Sequence, residues 1–397
     1  MNKTTHREPR RLLGILALLM FAASVTLAGC SSASEAPVKG CDAFPGVIFV
    51  VSVHANVAAP DLTPELACRL EATIEAGAPV GIVTLDGTPD VLVPPTVFGI
   101  KANNPNAEQS KIKAAEIAVI GAIQGAKADS NGSDLMGALH LAADSAATST
   151  PKVGQLVVLD SGLPDSGALR MTDPGMTEAD PQEVVDYLTQ SGALQADSLK
   201  ELSVQLVGFG YVTSPQDSLS TGQSDRVKQI FTAVLTAGGA EVEVVSYPRN
   251  GPGPKTKYTT KTVEAETTGV FKPSVGKTVV FGDTSPLRFQ PNEAEFVDPA
   301  AAEAALVELA AWLAPGKKHH INVAGTTASG DPIWCQQLSE ERAAAVKGVL
   351  VRLGADPSAI EPKGAGYTAT PPDHDASGNF DPAAAALNRT VVISIDK

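Results

Sequence analysis

Val47-Ile48-Phe49-Val50-Val51 is an unbroken apolar run that stops at Ser52. Five apolar residues are too few for a helix and suit a strand buried on both faces. Downstream, Pro64 to Ala76 carries Leu66, Leu70 and Ile74 at spacings of four, one face of a helix. Gly81 to Leu85 reads as a strand, with Val91-Leu92-Val93 beside it. Lys113 to Ile123 and Leu135 to Ala146 read as helices, the second capped by Ser133 or Asp134. Leu156 to Leu159, Val204 to Phe209 and Val242 to Val245 are expected strands, and Pro181 to Leu188 and Asp225 to Ala237 expected helices. Strands alternating with helices predict an α/β unit over residues 41–247, an open, mostly parallel sheet covered on both faces.

The chain has 397 residues, 43% apolar and 19% charged, a globular composition with room for two or three domains. Its net charge is −14. Residues 1–29 carry Lys3, Arg7, Arg10 and Arg11 against Glu8, so their removal leaves −17. Such a surface repels phosphate backbones, which argues against nucleic-acid binding. It equally repels anionic lipid, so attachment to a membrane has to be hydrophobic.

The N-terminus offers that attachment. Basic residues from Arg7 to Arg11 precede an apolar run from Leu12 to Leu27, the n-region and h-region of an export signal. The run is shorter than the roughly 20 residues of a membrane span. It ends in Leu27-Ala28-Gly29-Cys30, which resembles the lipobox of bacterial lipoproteins. The resemblance implies a diacylglyceryl group on the Cys30 thiol and cleavage before it, leaving 1–29 as signal peptide. Two acyl chains anchor stably where one is marginal. Residues 30–40, with Ser31-Ser32-Ala33-Ser34, then read as a tether. Three cysteines remain, and an exported protein can oxidise them. A strand-to-helix crossover can bring Cys41 and Cys68 together, which would leave Cys335 unpaired.

The order of elements in 41–247 resembles a von Willebrand factor A-like domain. Three loops carry the resemblance: Ser52-Val53-His54-Ala55-Asn56, Gly132-Ser133-Asp134-Leu135, and Leu159-Asp160-Ser161-Gly162. In that family such loops build a divalent-cation site from Asp-x-Ser-x-Ser, a Thr and an Asp. Here Ser52 replaces the leading Asp, His54 and Asn56 replace the two Ser, Ser133 replaces the Thr, and Asp160 is the remaining acid. Hard cations need several oxygen ligands, carboxylates above all. The loops therefore read as a degenerate site with no metal, and their rim as the surface for a protein partner.

Pro248 to Gly276 is expected to be a linker, since Arg249-Asn250-Gly251-Pro252-Gly253-Pro254 cannot sustain regular structure. The remainder, 277–397, resembles an OmpA-like peptidoglycan-associating domain. Leu287-Arg288-Phe289 matches its opening strand, Pro299 to Leu313 a helix, and His320 to Gly325 a strand ending in Gly. Leu338-Ser339-Glu340-Glu341-Arg342-Ala343, continuing to Val346, is the most specific motif, and Ser339 and Arg342 share one helical face. Gly364-Ala365-Gly366-Tyr367 and Asn388-Arg389-Thr390-Val391 complete the order. The implied fold is an α+β two-layer sandwich.

The resemblance implies non-covalent binding of wall stem peptides, whose diaminopimelate side chain carries an amine and a carboxylate. The helix arginine, here Arg342, takes the carboxylate. An Asp after the Gly-x-Thr strand end takes the amine, but here Gly325-Thr326-Thr327 is followed by Ala328. Asp331, three residues on, is the candidate replacement. Thr327, Asn388 and Arg389 complete the expected site. None of the six histidines has zinc-protease spacing, and no nucleophile elbow or phosphate loop occurs, so no enzyme and no cofactor are expected. The expectation is an extracytoplasmic lipoprotein whose partners are a membrane, peptidoglycan and an envelope protein. The alternative is an envelope scaffold that does not bind wall.

Overall fold

The computed structural model describes residues 40–249, 251–266 and 272–395. The signal run, Cys30 and most of the tether lie outside them. No described helix is long and apolar enough to cross a membrane.

The N-terminal unit is a six-stranded sheet in the order β3-β2-β1-β4-β5-β6. Its strands are β1 (Val47–Ser52), β2 (Val80–Leu85), β3 (Asp90–Thr96), β4 (Gln155–Leu159), β5 (Ser203–Val207) and β6 (Glu241–Val245). All neighbours are parallel except β2 and β3. Every residue of β1 is buried. Alternation splits its side chains between two cores. Ile48 and Val50 meet α3 (Leu135–Thr148), α4 (Pro181–Gln190) and α5 (Thr221–Ala237), whereas Phe49 and Val51 meet α1 (Pro64–Glu75) and α2 (Pro105–Gly125). Cys41 and Cys68 are bonded, with a Cα–Cα distance of 5.9 Å, tying the lead-in of β1 to α1. The edge strand β6 presents Glu241 and Glu243 to solvent, charges that discourage further strand pairing.

The C-terminal unit is a four-stranded sheet in the order β7-β10-β8-β9. It comprises β7 (Thr278–Phe281), β8 (Ile321–Gly325), β9 (Ile360–Gly364) and β10 (Val391–Ile395). The β8–β9 pair is parallel, and β10 runs antiparallel to both its neighbours. Helices α6 (Pro299–Trp312) and α7 (Pro332–Arg352) pack on it through Leu306, Leu309, Val346 and Leu350, all fully buried. A short helix, α8 (Pro382–Asn388), precedes β10. The opening strand is not Leu287-Arg288-Phe289. That segment forms only an isolated bridge between Phe289 and Phe296, and the strand starts nine residues earlier, at Thr278. Thr278–Phe281 has an alternation of only four residues, too short to stand out beside Leu287 and Phe289.

Candidate functional site

The Leu338–Val346 motif explains itself once α7 lies against the sheet. Leu338, Ala343 and Val346 face inward. Ser339, completely buried, accepts the Gly366 N–H at 2.9 Å and donates to Gln336 O at 2.8 Å, which pins the loop after β9 to the helix. Gly325 and Gly364, the last residues of β8 and β9, press against Ser339, and any Cβ there would collide with it. The motif thus brings two strand ends and one helix together at a single corner.

Arg342 sits one turn further on, 8% exposed. Its Nε donates to Glu293 O at 3.0 Å and its Nη2 to Gln290 O at 3.5 Å, with the guanidinium 5.1 Å from the centre of the Phe289 ring. The opening loop therefore holds it in place. Burial lowers its pKa, the Asp283 charge opposes this, and Arg389 adds to it. Arg342 and Arg389 are thus near enough to repel, with Asp283 facing both.

Asp331 does not turn into this corner. It is the N-cap of α7, and its Oδ1 accepts the N–H groups of Ile333 and Trp334 at 3.1 and 2.9 Å. Eleven helical residues at about 1.5 Å each separate it from Arg342. The carboxylate beside Ala328 is instead Asp373, fully buried. Its Oδ2 accepts Ser329 N–H at 2.7 Å and its Oδ1 accepts the Tyr367 hydroxyl at 2.7 Å. Burial would raise its pKa, but these bonds outweigh burial and lower it. Nothing in Pro371-Pro372-Asp373-His374 marks that residue in the sequence, and only the vacant acid at Ala328 could have prompted a search. Cys335 is a buried free thiol 3.6 Å from Ala328 O.

Thr327 N–H donates to Gly366 O at 3.0 Å, and Asn388 Nδ2 donates to Pro371 O at 2.8 Å. The Thr327 hydroxyl and the Asn388 carbonyl are both buried without a partner. Arg389 turns from beside Arg342 toward the N-terminal unit. Its Nη2 bonds Glu183 of α4, in the N-terminal unit.

The N-terminal rim is not an open surface. Ser52, His54, Ser133 and Asp160 are buried at the carboxyl ends of the strands, and Asn56 lies beside them. Residues 254–266 strap across them. Asn56 exchanges hydrogen bonds with Thr260 at 2.9 and 3.0 Å, Ala55 N–H meets Tyr258 O at 3.0 Å, Lys261 N–H meets Asp165 at 2.7 Å, and Gly132 N–H meets Thr259 O at 3.1 Å. Below the strap, Arg249 is 7% exposed and donates to Leu159 O at 3.2 Å; burial lowers its pKa against the charges of Asp160 and Asp61. A cavity of about 30 Å³ remains, lined by Ser52, Ser133, Asp160 and Arg249 among others, room for about one water. The expected linker is therefore a lid bound to the rim, and a partner would have to displace it. His54 is completely buried, and desolvation lowers its pKa against the pull of Asp86 and Asp160.

Residues 288–382 match the OmpA family. No curated protein matches the chain. Among solved structures it is similar to the periplasmic domain of Helicobacter pylori MotB (18% identity, 33% of this chain and 88% of that one, TM-score 0.25). It is also similar to the peptidoglycan-associated lipoprotein from Burkholderia pseudomallei (24%, 29% and 96%, TM-score 0.23) and to an outer membrane protein from Borrelia burgdorferi B31 (24%, 32% and 96%, TM-score 0.23). Of another MotB periplasmic domain, residues 64-256, it spans 66%. The matched segment runs from the loop that holds Arg342, through α6, β8, α7 and β9, into α8. The C-terminal part of the chain is an OmpA-like domain.

Proposed function

We propose that the chain is an exported lipoprotein that tethers a membrane to the cell wall, with lipid on Cys30 and the OmpA-like domain on peptidoglycan. The observation that carries the reading is Arg342. A guanidinium on the matched motif, buried and held by backbone carbonyls rather than by a fixed counter-ion of its own, suits a carboxylate ligand. The unpartnered Thr327 hydroxyl and Asn388 carbonyl add polar atoms that such a ligand could satisfy. Asp373, which accepts the N–H of Ser329 next to the vacant Ala328 position, takes the place proposed for Asp331. The order of the N-terminal strands agrees with a von Willebrand factor A-like ancestry, now serving as the body between lipid and wall. Two modest attachments on one chain raise the effective concentration at the second.

The test is co-sedimentation of the chain from Ser31 onward with purified sacculi. The whole described chain is needed, because α8 packs partly on the N-terminal unit. Wild type is expected to pellet with the wall and Arg342→Ala to lose most of that binding. Equal sedimentation of the two removes Arg342 from the function. The absence of binding by wild type even at low salt favours the scaffold reading.

A further inference from the structure

The OmpA-like domain and the N-terminal unit meet over a closely fitted surface. Ala383 and Ala386 of α8 are buried in the core cluster of the N-terminal unit. Gly175 lies against Ala383 O, and Gly222, in the first turn of α5, lies against Thr284 O. At either position a Cβ would overlap the backbone of the opposite unit. Polar contacts frame this surface. Asp283 N–H donates to Glu178 Oε2 at 3.1 Å, and Arg226 reaches Ala179 O at 3.1 Å. Glu183 of α4 bonds Arg389, whose Nη1 is 3.9 Å from Asp283 Oδ2. Asp283 is thus in ion-pair range of Arg389, and its charge is also felt by Arg226 and Arg342. Burial raises its pKa, and those three cations pull against that rise.

Two carboxylates of the chain therefore sit on Arg389, a member of the expected site next to Arg342. We propose that this surface is a self-inhibitory closure, in which Glu183 and Asp283 serve as internal carboxylate ligands for Arg389, the neighbour of Arg342 in the site. A stem-peptide carboxylate then gains the arginine pair only after α4 and the turn Met176–Glu178 have moved off α8. The inference rests on the wall-binding reading above. It adds that the closed chain is the weak binder. Apparent affinity scales with the fraction of open molecules.

Glu183→Arg sets a cation against Arg389 where the internal carboxylate stands. Gly222→Ala is an independent wedge. It adds a methyl against Thr284 O at a helical position where Ala is favoured. Both variants, in the chain from Ser31 onward, are tested for sacculus co-sedimentation and for amide hydrogen exchange of α8. Each is expected to exchange α8 amides faster and to bind sacculi about 5- to 10-fold more tightly than wild type, as an open fraction rising from roughly a tenth requires. Faster exchange in either variant without tighter wall binding overturns the inhibition. Unchanged exchange in both overturns the closure itself. If no variant binds sacculi while exchange rises, the wall-binding reading has failed, and the inhibitory role falls with it.

Discussion

Glu178 gives the interface a pH dependence that its surroundings allow to be worked out. Burial, followed by the charge of Glu266, pushes its carboxyl from 4.5 up to about 7. Asp283 adds to the rise through its charge, while its N–H bond and Arg226 oppose it. Those are the groups that face it: Glu266 from the strap, Asp283 from the loop after β7, and Arg226 from α5. The folded value lies above the unfolded one, so the closed, folded chain takes up a proton. The stability gained is full below about 4.5 and is lost as pH rises through about 7. At about 1.36 kcal/mol per pH unit separating the two values, the loss is on the order of 3 kcal/mol. Glu183 and Asp283 are also raised, burial being the first cause for each, and act in the same sense. Glu178→Gln keeps an acceptor for Asp283 N–H and removes the proton uptake. Both tryptophans, Trp312 and Trp334, lie in the OmpA-like domain, so their fluorescence in urea reports the unfolding of that domain from its docked state on the N-terminal unit. Between pH 5 and pH 8 wild type is expected to lose on the order of 3 kcal/mol more stability than Glu178→Gln, and to be the less stable of the two at pH 8. Equal losses would refute the assignment of the proton to Glu178.

The strap and the disulfide give two further expectations. Arg249→Met removes the buried guanidinium that donates to Leu159 O and should cost about 1–3 kcal/mol in thermal or urea unfolding, because a buried carbonyl loses that partner. The loop closed by Cys41 and Cys68 spans 27 residues, so Cys41→Ser with Cys68→Ser should cost about 3–4 kcal/mol, read as a lowered urea midpoint.

Most of the N-terminal fold was legible because its strands are buried on both faces. Val47–Val51 and Leu156–Leu159 are continuous apolar runs, Val204–Val207 is broken only by Gln205, and turns separate them from helices with clear spacing. Helix α2 begins eight residues before the expected Lys113, at Pro105, because its first turns are polar and exposed and carry no apolar stripe. The helix cap left open between Ser133 and Asp134 is Asp134, whose carboxylate accepts Gly137 N–H at 2.9 Å. In the OmpA-like domain, α7 stood out because Leu338, Ser339, Arg342 and Ala343 each have a different contact to make. What sequence could not reveal was contact between distant segments. Glu183 meets Arg389 across 206 positions, Asn56 meets Thr260 across 204, and Ser329 meets Asp373 across 44. No local spacing encodes such pairs, and a Pro/Gly-rich segment reads as a linker whether it floats or lies bonded to a rim.

Both regions expected to face a partner are occupied by the chain itself, yet the physics of the two occupations differs. Over the N-terminal rim the strap is held chiefly by backbone hydrogen bonds and by Asn56, with a buried arginine beneath. Displacing it would expose those donors and acceptors together and open the cavity around Asp160, a cost that a carboxylate ligand does nothing to repay. At the OmpA-like corner the occupant is a set of carboxylates on arginine, with pKa values raised by burial. A competing carboxylate can replace these anions one for one, and a change of pH can shift their protonation. The strap therefore belongs to the fold of the N-terminal unit. The closure over Arg342 and Arg389 is the contact that a ligand can exchange.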